Sequence, residues 1–363
     1  MTAPTTAAKK LLVVGALGVV GRAVMERCAG RAGLQVVGLA RRAPDFAPGA
    51  TWVSADLRDA AATRAALAPH RDTTHVVYAA LNEQPNLLHG WRDPDNVALN
   101  TLMLNHTLAA LDTAPLARMT LLQGTKAYGV HTRRPMRVPA REHDAIRDHA
   151  NFYFDQHDLV AAHAQRRGYR WTIFRPQIVL GNAVGSAMNP VATLGVYATL
   201  MRELGQPLAC LGHPQLLTEC TDARLIASAI EWAWGETKAH DEVFNITNGD
   251  VLLWANLFER LAREFAVPLG AASTARPSQD MPRHADLWRG IAQRHNLRVA
   301  DMDALIGLSW QYAEATWASL RPFPVPPLVS TIKLRQAGFG DCIDTEESIV
   351  DHLNAMREQR YLP

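Results

Sequence analysis

Lys126 stands apart among the basic residues. The chain carries 37 Lys+Arg, yet lysine occurs only at Lys9, Lys10, Lys126, Lys238 and Lys333. Lys126 follows an apolar run, inside Gly124-Thr125-Lys126-Ala127-Tyr128-Gly129. A second motif, Asn151-Phe152-Tyr153-Phe154, opens a helical pattern further on. None of Tyr78, Tyr128, Tyr153, Tyr169, Tyr197 or Tyr312 has a lysine four residues later. A phenol–ammonium pair must therefore come from two separate elements, with Lys126 and Tyr153 as the catalytic candidates. An ammonium beside a phenol biases it toward hydrogen bonding or ionisation. A phenol aimed at a carbonyl oxygen stabilises the charge that develops there when hydride reaches the β-carbon of an enone. The pair points to reduction of a conjugated enone more than to alcohol oxidation. Taken alone, Tyr153 also reads as an amphipathic core residue, although one of Phe152, Tyr153 and Phe154 must face outward or into a cleft. Tyr128 divides evenly between a structural role and shaping a pocket.

The elements that position these groups alternate. Buried-strand runs at Leu11–Val14, Gln35–Ala40, Thr51–Ser54, His75–Tyr78, Met119–Gln123 and Trp171–Phe174 are separated by helical patterns at about Val19–Cys28, Arg58–Ala68 and Asn96–Leu111. Apolar strands alternating with amphipathic helices imply a parallel sheet covered on both faces, a doubly wound α/β fold of Rossmann type. After Arg175-Pro176 the regularity weakens. Residues 1–180 are expected to form the cofactor-binding domain. Residues 181–363 form a smaller, mostly helical substrate-binding region, with a strand near Glu242–Ile246 that returns to the first sheet. There Leu253–Phe265, Trp288–Leu320 and Glu346–Arg357 read as helices, Ala271–Pro282 as a loop and Pro322–Pro327 as a helix break. Asp222 is placed to cap the helix through Ala229.

Gly15-Ala16-Leu17-Gly18-Val19-Val20-Gly21 lies between the first strand and the first helix. Its glycines permit a tight turn and close approach of a pyrophosphate, which the free N–H groups of the helix start then face. The second strand ends Ala40-Arg41-Arg42, where an NAD site usually presents an acid; arginine suits the 2′-phosphate of NADP. The competing reading is a pair of surface arginines, and position favours the phosphate, more for Arg41 than for Arg42. Asp56 and Leu57 stand where an adenine amine is met, and Ala79-Ala80-Leu81 where the chain passes under the cofactor. Lys126, at the carboxyl edge of the sheet, can also bond the nicotinamide ribose. No second acid declares itself, so the α-carbon proton of a reduced enone is left to solvent.

The bulk numbers narrow the field. The chain has 363 residues and a net charge of +2, without the basic stripe of a nucleic-acid binder. Cys28, Cys210, Cys220 and Cys342 are scattered, which argues against a zinc site or disulfide framework and fits a reducing compartment. Met1–Lys10 reads as a polar tail without a signal-type apolar region, and Leu11–Val20 is too short to span a bilayer; a cytoplasmic protein is expected. His143, His149, His157 and His163 show no metal-binding spacing, so no metal is expected and solvated helix faces are the reading for them. Of Trp288, Trp310 and Trp317, two are expected in the core, while the third could line an apolar lid.

The glycine turn, Ala40-Arg41-Arg42, the Lys126 motif, the Tyr153 motif, Ser330-Thr331-Ile332-Lys333 to Gly338-Phe339 and Asp344-Thr345 together resemble extended short-chain dehydrogenases/reductases, and among them the progesterone 5β-reductase/iridoid synthase-like (PRISE) enzymes. The resemblance spans nearly the whole chain. It implies NADPH-dependent 1,4-reduction of an enone, with Tyr153 as phenol and Lys126 as its partner, on a hydrophobic small molecule and in a homodimer, with neither nucleic acid nor membrane as partner. It also implies that the backbone of Pro176, Gln177 and Ile178 meets the nicotinamide amide, and that Ser186 and Met188 lie near nicotinamide and substrate. Where that family commonly has Phe-Tyr-Tyr followed by acids, this chain has Phe154 and Gln156-His157-Asp158, so Tyr153 alone can be the catalytic phenol. The interval from Lys126 to Tyr153 is shorter than in the plant enzymes, which reshapes the pocket. Two other readings stand beside this one. A sugar-nucleotide epimerase or dehydratase on the same scaffold would use a Tyr-x-x-x-Lys that is missing here. A non-catalytic NADP(H) sensor would not need Lys126 and Tyr153.

Overall fold

The chain is represented by a computed structural model that describes residues 9–46, 49–321, 323 and 325–363. The polar tail before Lys9 lies outside the described residues, as do Pro322 and Pro324 of the expected helix break. Seven strands form one parallel sheet: β1 (Lys9–Val14), β2 (Leu34–Ala40), β3 (Thr51–Ser54), β4 (His75–Tyr78), β5 (Arg118–Leu122), β6 (Arg170–Pro176) and β7 (Glu242–Ile246). Their order is β7-β6-β5-β4-β1-β2-β3. The middles of the strands are largely apolar because helices cover both faces, as in Leu11–Val14 of β1. Helices α1 (Val19–Cys28) and α6 (Ala223–Gly235) bury Val24, Met25, Ile226 and Ile230 on one face. Helices α2 (Ala60–Leu67), α3 (Pro94–Ala110) and α4 (Phe152–Arg167) bury Leu67, Leu104, Leu108 and Val160 on the other. The order reverses between β1 and β4, which opens a crevice at their carboxyl ends, the place where such sheets take ligands.

The strand at Glu242–Ile246 pairs in parallel with β6, Phe244 opposite Phe174. The rest of the later chain has its own core around Trp254, Trp288 and Trp317, with the rings of Trp254 and Trp317 stacked 5.2 Å apart. α5 (Pro190–Glu203) and α7 (Trp254–Glu264) frame it. The expected helix over Trp288–Leu320 is instead three: Ala285–Arg294, Met302–Ile306 and Ser309–Ala315. Asn296 takes a φ of 49° beyond the first, the Asp301 carboxylate caps the second, and Gly307 turns the chain at a φ of 57°. The expected loop over Ala271–Pro282 also holds structure, because Leu269–Ser273 is recruited as a strand beside Leu208–Leu211. Asp222 caps α6 by accepting from Arg224 N–H, and the helix runs past Ala229 to Gly235. Among the described residues no helix is long and apolar enough to cross a membrane.

Candidate active site

A cavity of about 1220 Å³ follows the carboxyl edge of the sheet, across the β1–β4 crevice and under the later helices. At one end lies the glycine turn. Gly15 has a φ of 85°, and a Cβ there would stand 2.7 Å from the Ala79 backbone; at Gly21 a Cβ would lie 2.2 Å from the Gly15 carbonyl oxygen. The turn is thus packed to backbone contact against β4 and against itself. Gly18 precedes α1 without any side-chain cap, so its first N–H groups are free to face a phosphate. Leu17, Val19 and Val20 join Gly15 and Gly18 in the cavity wall, whereas Gly21 does not line it and serves the turn itself.

Ala40, Arg41 and Arg42 follow at the end of β2, with Asp56 and Leu57 after β3. Both arginines are exposed, and Arg42 Nη2 donates to the Val184 carbonyl at 2.6 Å, tying this corner to the later chain. Arg58, which sequence reasoning passed over, also lines the wall and pairs with Asp56 through Nη2 at 2.6 Å. Its guanidinium pulls the Asp56 carboxyl down to about 2, first through the hydrogen bond. Three arginines line this corner, and among the described residues the Arg41 guanidinium makes no hydrogen bond, whereas Arg42 Nη2 and the Arg58 guanidinium are engaged by Val184 and Asp56. The donor set fits an adenosine 2′-phosphate.

At the other end stand Lys126 and Tyr153. Tyr153 lies in the first turn of α4, and three contacts fix that turn. Asn151 caps it by accepting from Tyr153 N–H at 3.1 Å, and the Asn151 Nδ2 donates to the Lys126 carbonyl at 3.2 Å. Gln123 Nε2 donates to the Tyr153 carbonyl at 2.7 Å while its own oxygen accepts from Arg175 Nε at 2.9 Å. The Lys126 loop and the Tyr153 helix are therefore tied through backbone. The phenol oxygen lies beside the Gly124 backbone, 3.4 Å from where a Cβ would project. Burial raises the Tyr153 pKa, with the Glu83 charge acting in the same direction, so the phenol keeps its proton and can donate. Burial brings Lys126 down to about 8 against the opposing pull of Glu83. Its ammonium rests 3.9 Å from the centroid of the Trp91 ring.

The three aromatics of the Tyr153 motif are all buried; Phe152 and Tyr153 face the cavity, and Phe154 turns toward His149 and Arg147. Ala79, Ala80 and Leu81 line the floor, as do Pro176, Gln177, Ile178, Ser186 and Met188 further along. The Gln177 side-chain amide donates to Thr218 Oγ1 and the Pro327 carbonyl, and its backbone is also engaged, the N–H donating to Thr221 Oγ1 at 3.1 Å and the carbonyl lying 2.9 Å from the same hydroxyl, so the backbone contact to a nicotinamide amide expected at Gln177 is not open here. Ile178 is held at a φ of 25°, costly for a β-branched residue and found where a site over-determines the backbone. Trp310, Tyr312 and Gln311 close the cavity opposite Tyr153, supplied by the break in the helix expected there. Trp288 and Trp317 are core, so Trp310 is the one of the three that reaches the cavity.

Tyr128 takes the structural one of its two expected roles, and two of the histidines sit differently from their expected places. Tyr128 is 1% exposed and lines no cavity; its hydroxyl donates to Asn245 Oδ1 at 2.5 Å and accepts from Arg175 Nη1 at 3.3 Å. Tyr128→Phe is expected to lose about 1–3 kcal/mol of stability, by leaving Arg175 and Asn245 short of a partner, with kcat little changed. Urea unfolding beside steady-state rates checks this. His157 and His163 lie on α4 and His143 in a single 3-10 turn, Glu142–Asp144, and His163 is buried with Nδ1 2.9 Å from the Tyr169 hydroxyl, not solvated. His149 packs at a tilt of 57° against His131 with centroids 4.9 Å apart and donates from Nε2 to the Lys126 carbonyl at 3.2 Å. His131 lines the cavity and is brought down to about 3, chiefly by burial and then by Lys126, so it is neutral. Among the described residues no group of three or more His, Cys, Asp or Glu could hold a metal ion.

A family profile described as NAD(P)H-binding matches residues 15–189. An (S)-8-oxocitronellyl enol synthase of Nepeta cataria is 31% identical over 321 residues, covering 83% of this chain and 81% of its own length. This chain belongs to the progesterone 5β-reductase/iridoid synthase-like family. A further (S)-8-oxocitronellyl enol synthase, from Antirrhinum majus, is 29% identical and covers 97% of this chain and 92% of its own. Among solved structures, the UDP-glucose 4-epimerase of Thermus thermophilus in complex with NAD superposes with a TM-score of 0.67 at 16% identity, over 96% of this chain and 99% of its own. At that identity the likeness speaks for the extended short-chain dehydrogenase/reductase fold alone. As a member of the iridoid synthase-like family the chain is an oxidoreductase that uses a nicotinamide cofactor. Glu83, Trp91, His131 and Tyr312 are cavity residues that sequence reasoning missed. Glu83 and Trp91 had one available signal, their place just beyond β4 at the carboxyl edge of the sheet.

Proposed function

We propose that the protein reduces the C=C bond of an α,β-unsaturated carbonyl compound with NADPH, placing hydride on the β-carbon while Tyr153 stabilises the oxygen of the resulting enolate. The observation that carries the reading is a protonated phenol at the carboxyl edge of the sheet, in one cavity with a lysine from a separate element whose carbonyl is tied through Asn151 to the turn that carries the phenol. The relatives' names support it, since an enol is what a conjugated carbonyl becomes after hydride has reached its β-carbon and its oxygen has been protonated. NADPH, when bound, supplies that hydride. The glycine turn and α1 hold its pyrophosphate, and Arg41, Arg42 and Arg58 its 2′-phosphate. Lys126 orients ribose and phenol, and Tyr153 donates to the carbonyl oxygen as charge builds. The wall of Phe152, Trp310, Tyr312 and Met188 suits a hydrophobic substrate and keeps water from the reacting bond.

The test is NADPH oxidation with a small cyclic enone, an open-chain enal and a 4-en-3-one steroid, beside NADH and saturated ketones. Enone-dependent oxidation with a saturated carbonyl product is expected; tight NADPH binding with no turnover across the panel would overturn the reading. Arg41→Ala is expected to weaken NADPH binding about ten- to hundredfold, the loss of charge-assisted hydrogen bonds to phosphate, and to leave NADH affinity nearly unchanged. Fluorescence titration of both cofactors reads the difference.

A further inference from the structure

We propose that Trp91 is the positioning residue of Lys126: its indole is fastened to Glu83 through the N–H and offers the ammonium a ring face, which holds the lysine in the cavity without pairing its charge. The proposal deepens the enone-reductase reading by naming what keeps Lys126 in place and charged. The Lys126 Nζ lies 3.9 Å from the centroid of the Trp91 ring, and Trp91 lines the same cavity. The indole N–H donates to Glu83 Oε1 at 3.3 Å. A cation is drawn to a ring face by the aromatic quadrupole, most strongly to that of tryptophan. Among the described residues the ammonium makes neither a hydrogen bond nor an ion pair, so the N–H donors on its far side are left for the ribose and the phenol. A carboxylate in the place of the ring would offset the charge and occupy those donors; the indole does neither.

The loop that carries Trp91 is fixed independently of the ring. Trp91 follows a single helical turn, Leu87–Gly90, and its N–H donates to the Leu87 carbonyl at 3.2 Å. Leu87 N–H donates to Gln311 Oε1 at 2.9 Å and Gln311 Nε2 to the Pro85 carbonyl at 2.9 Å, which ties the loop to the helix Ser309–Ala315. On the other side, Asn96 Nδ2 donates to the Gly90 carbonyl at 3.0 Å and Arg92 Nη2 to the His131 carbonyl at 2.6 Å. The last contact reaches the segment that follows Lys126, so ring and ammonium ride on backbones braced against each other. The Lys126 carbonyl is held in turn by Asn151 Nδ2 and His149 Nε2, each at 3.2 Å.

The titratable and charged groups around Lys126 are Glu83 and Arg92 from the Trp91 loop, His131 and His149 from the segment between β5 and α4, and the Tyr153 phenol from α4. Near pH 8 His131 is neutral and Tyr153 protonated, so neither supplies a counter-charge. Burial lowers Lys126 more than Glu83 raises it, which brings the ammonium down to about 8. So near that balance, a ring face weighs on how much of the charge is present at neutral pH.

The experiment follows the lysine side chains by NMR in full-length protein made with isotope-labelled lysine and bound to NADP+. Lysines are few in this chain, and the Lys126 signal is assigned by its loss in Lys126→Met. Wild-type protein is expected to show the Lys126 ε-CH2 protons shifted upfield by the ring, and to titrate near 8. Glu83→Gln serves as the background for the ring variants: its amide oxygen still accepts the indole N–H, and no carboxylate remains to take the place of the ring. In that background Trp91→Leu is expected to abolish the upfield shift and to lower the Lys126 pKa by about half to one unit, the worth of a cation–π contact. Trp91→Phe keeps a ring face and is expected to recover most of both. At neutral pH kcat/KM for an enone is expected to follow, falling about three- to tenfold in Trp91→Leu and recovering in Trp91→Phe. Wild-type ε-CH2 protons without the upfield shift would overturn the proposal. A Lys126 pKa in Trp91→Leu equal to that in Glu83→Gln alone would overturn it too. If Trp91→Leu does not fold, the wild-type shift and Trp91→Phe carry the test. Both NMR readings are made without turnover, so they are independent of the enone-reductase reading, which fails if wild-type protein oxidises NADPH with no enone.

Discussion

Tyr153→Phe is expected to lower kcat by about 10²- to 10³-fold, the cost of losing one oxyanion donor, while the NADPH Kd stays within about twofold. The size follows from timing. A ground-state carbonyl oxygen takes little from a hydrogen bond, but the oxygen of an enolate takes much, in a cavity with few competing waters. KM is expected to move less than kcat, since the contact strengthens only as charge develops. The helix should tolerate the change. Its first turn is fixed through backbone, by Asn151 on Tyr153 N–H and Gln123 on Tyr153 carbonyl, and neither contact uses the phenol. Stopped-flow absorbance of NADPH reads the hydride step, and an equilibrium titration reads binding. A variant that retains normal turnover would take the phenol out of the mechanism and leave Tyr312, a second phenol that lines the cavity within electrostatic reach of Tyr153, as the donor to test.

What was legible beforehand follows from how locally each feature is encoded. The parallel strands were, because a strand covered on both faces is dominated by apolar residues, and Leu11–Val14 and Val76–Tyr78 say so without context. The glycine turn was legible because backbone contacts as close as those at Gly15 and Gly21 admit no side chain. That Lys126 and Tyr153 line one cavity was legible because Lys126 follows β5 at the carboxyl edge and Tyr153 opens the helix that runs back past it. Tyr128 could not be decided: its place is set by Asn245 and Arg175, residues remote in sequence. The helix expected over Trp288–Leu320 had apolar periodicity almost throughout, and the two short caps that divide it are weak signals beside that pattern. Glu83 was invisible for a different reason. One acid among 35 Asp+Glu carries no mark, and its interest comes only from the indole that binds one oxygen and the burial that strands the other.

Activity is expected to fall as pH rises through about 8, where the buried Lys126 ammonium loses its proton. The cause is desolvation first, only partly countered by Glu83. In the proposed mechanism Lys126 would align the ribose and support the phenol, and its charge is therefore present at neutral pH and absent well above it. Stability moves the other way. The folded pKa lies below the ordinary lysine value of 10.5, so between about 8 and 10.5 the unfolded chain holds a proton at this site that the folded chain has released. The slope of unfolding free energy with pH follows the protons bound in the unfolded state minus those bound in the folded state, which is positive here. This residue's contribution to stability thus rises across the window in which activity falls, which separates loss of a catalytic charge from alkaline unfolding. Lys126→Met is expected to cut kcat/KM by about 10²-fold at neutral pH and to erase the descending limb near 8. Its stability should gain relative to wild type at pH 7, where the buried charge is costly, and the gain should shrink toward pH 10. A kcat/KM profile from pH 6 to 10 beside urea unfolding over the same range reads both limbs. A Lys126→Met profile that still descends near 8 would assign that titration to another group.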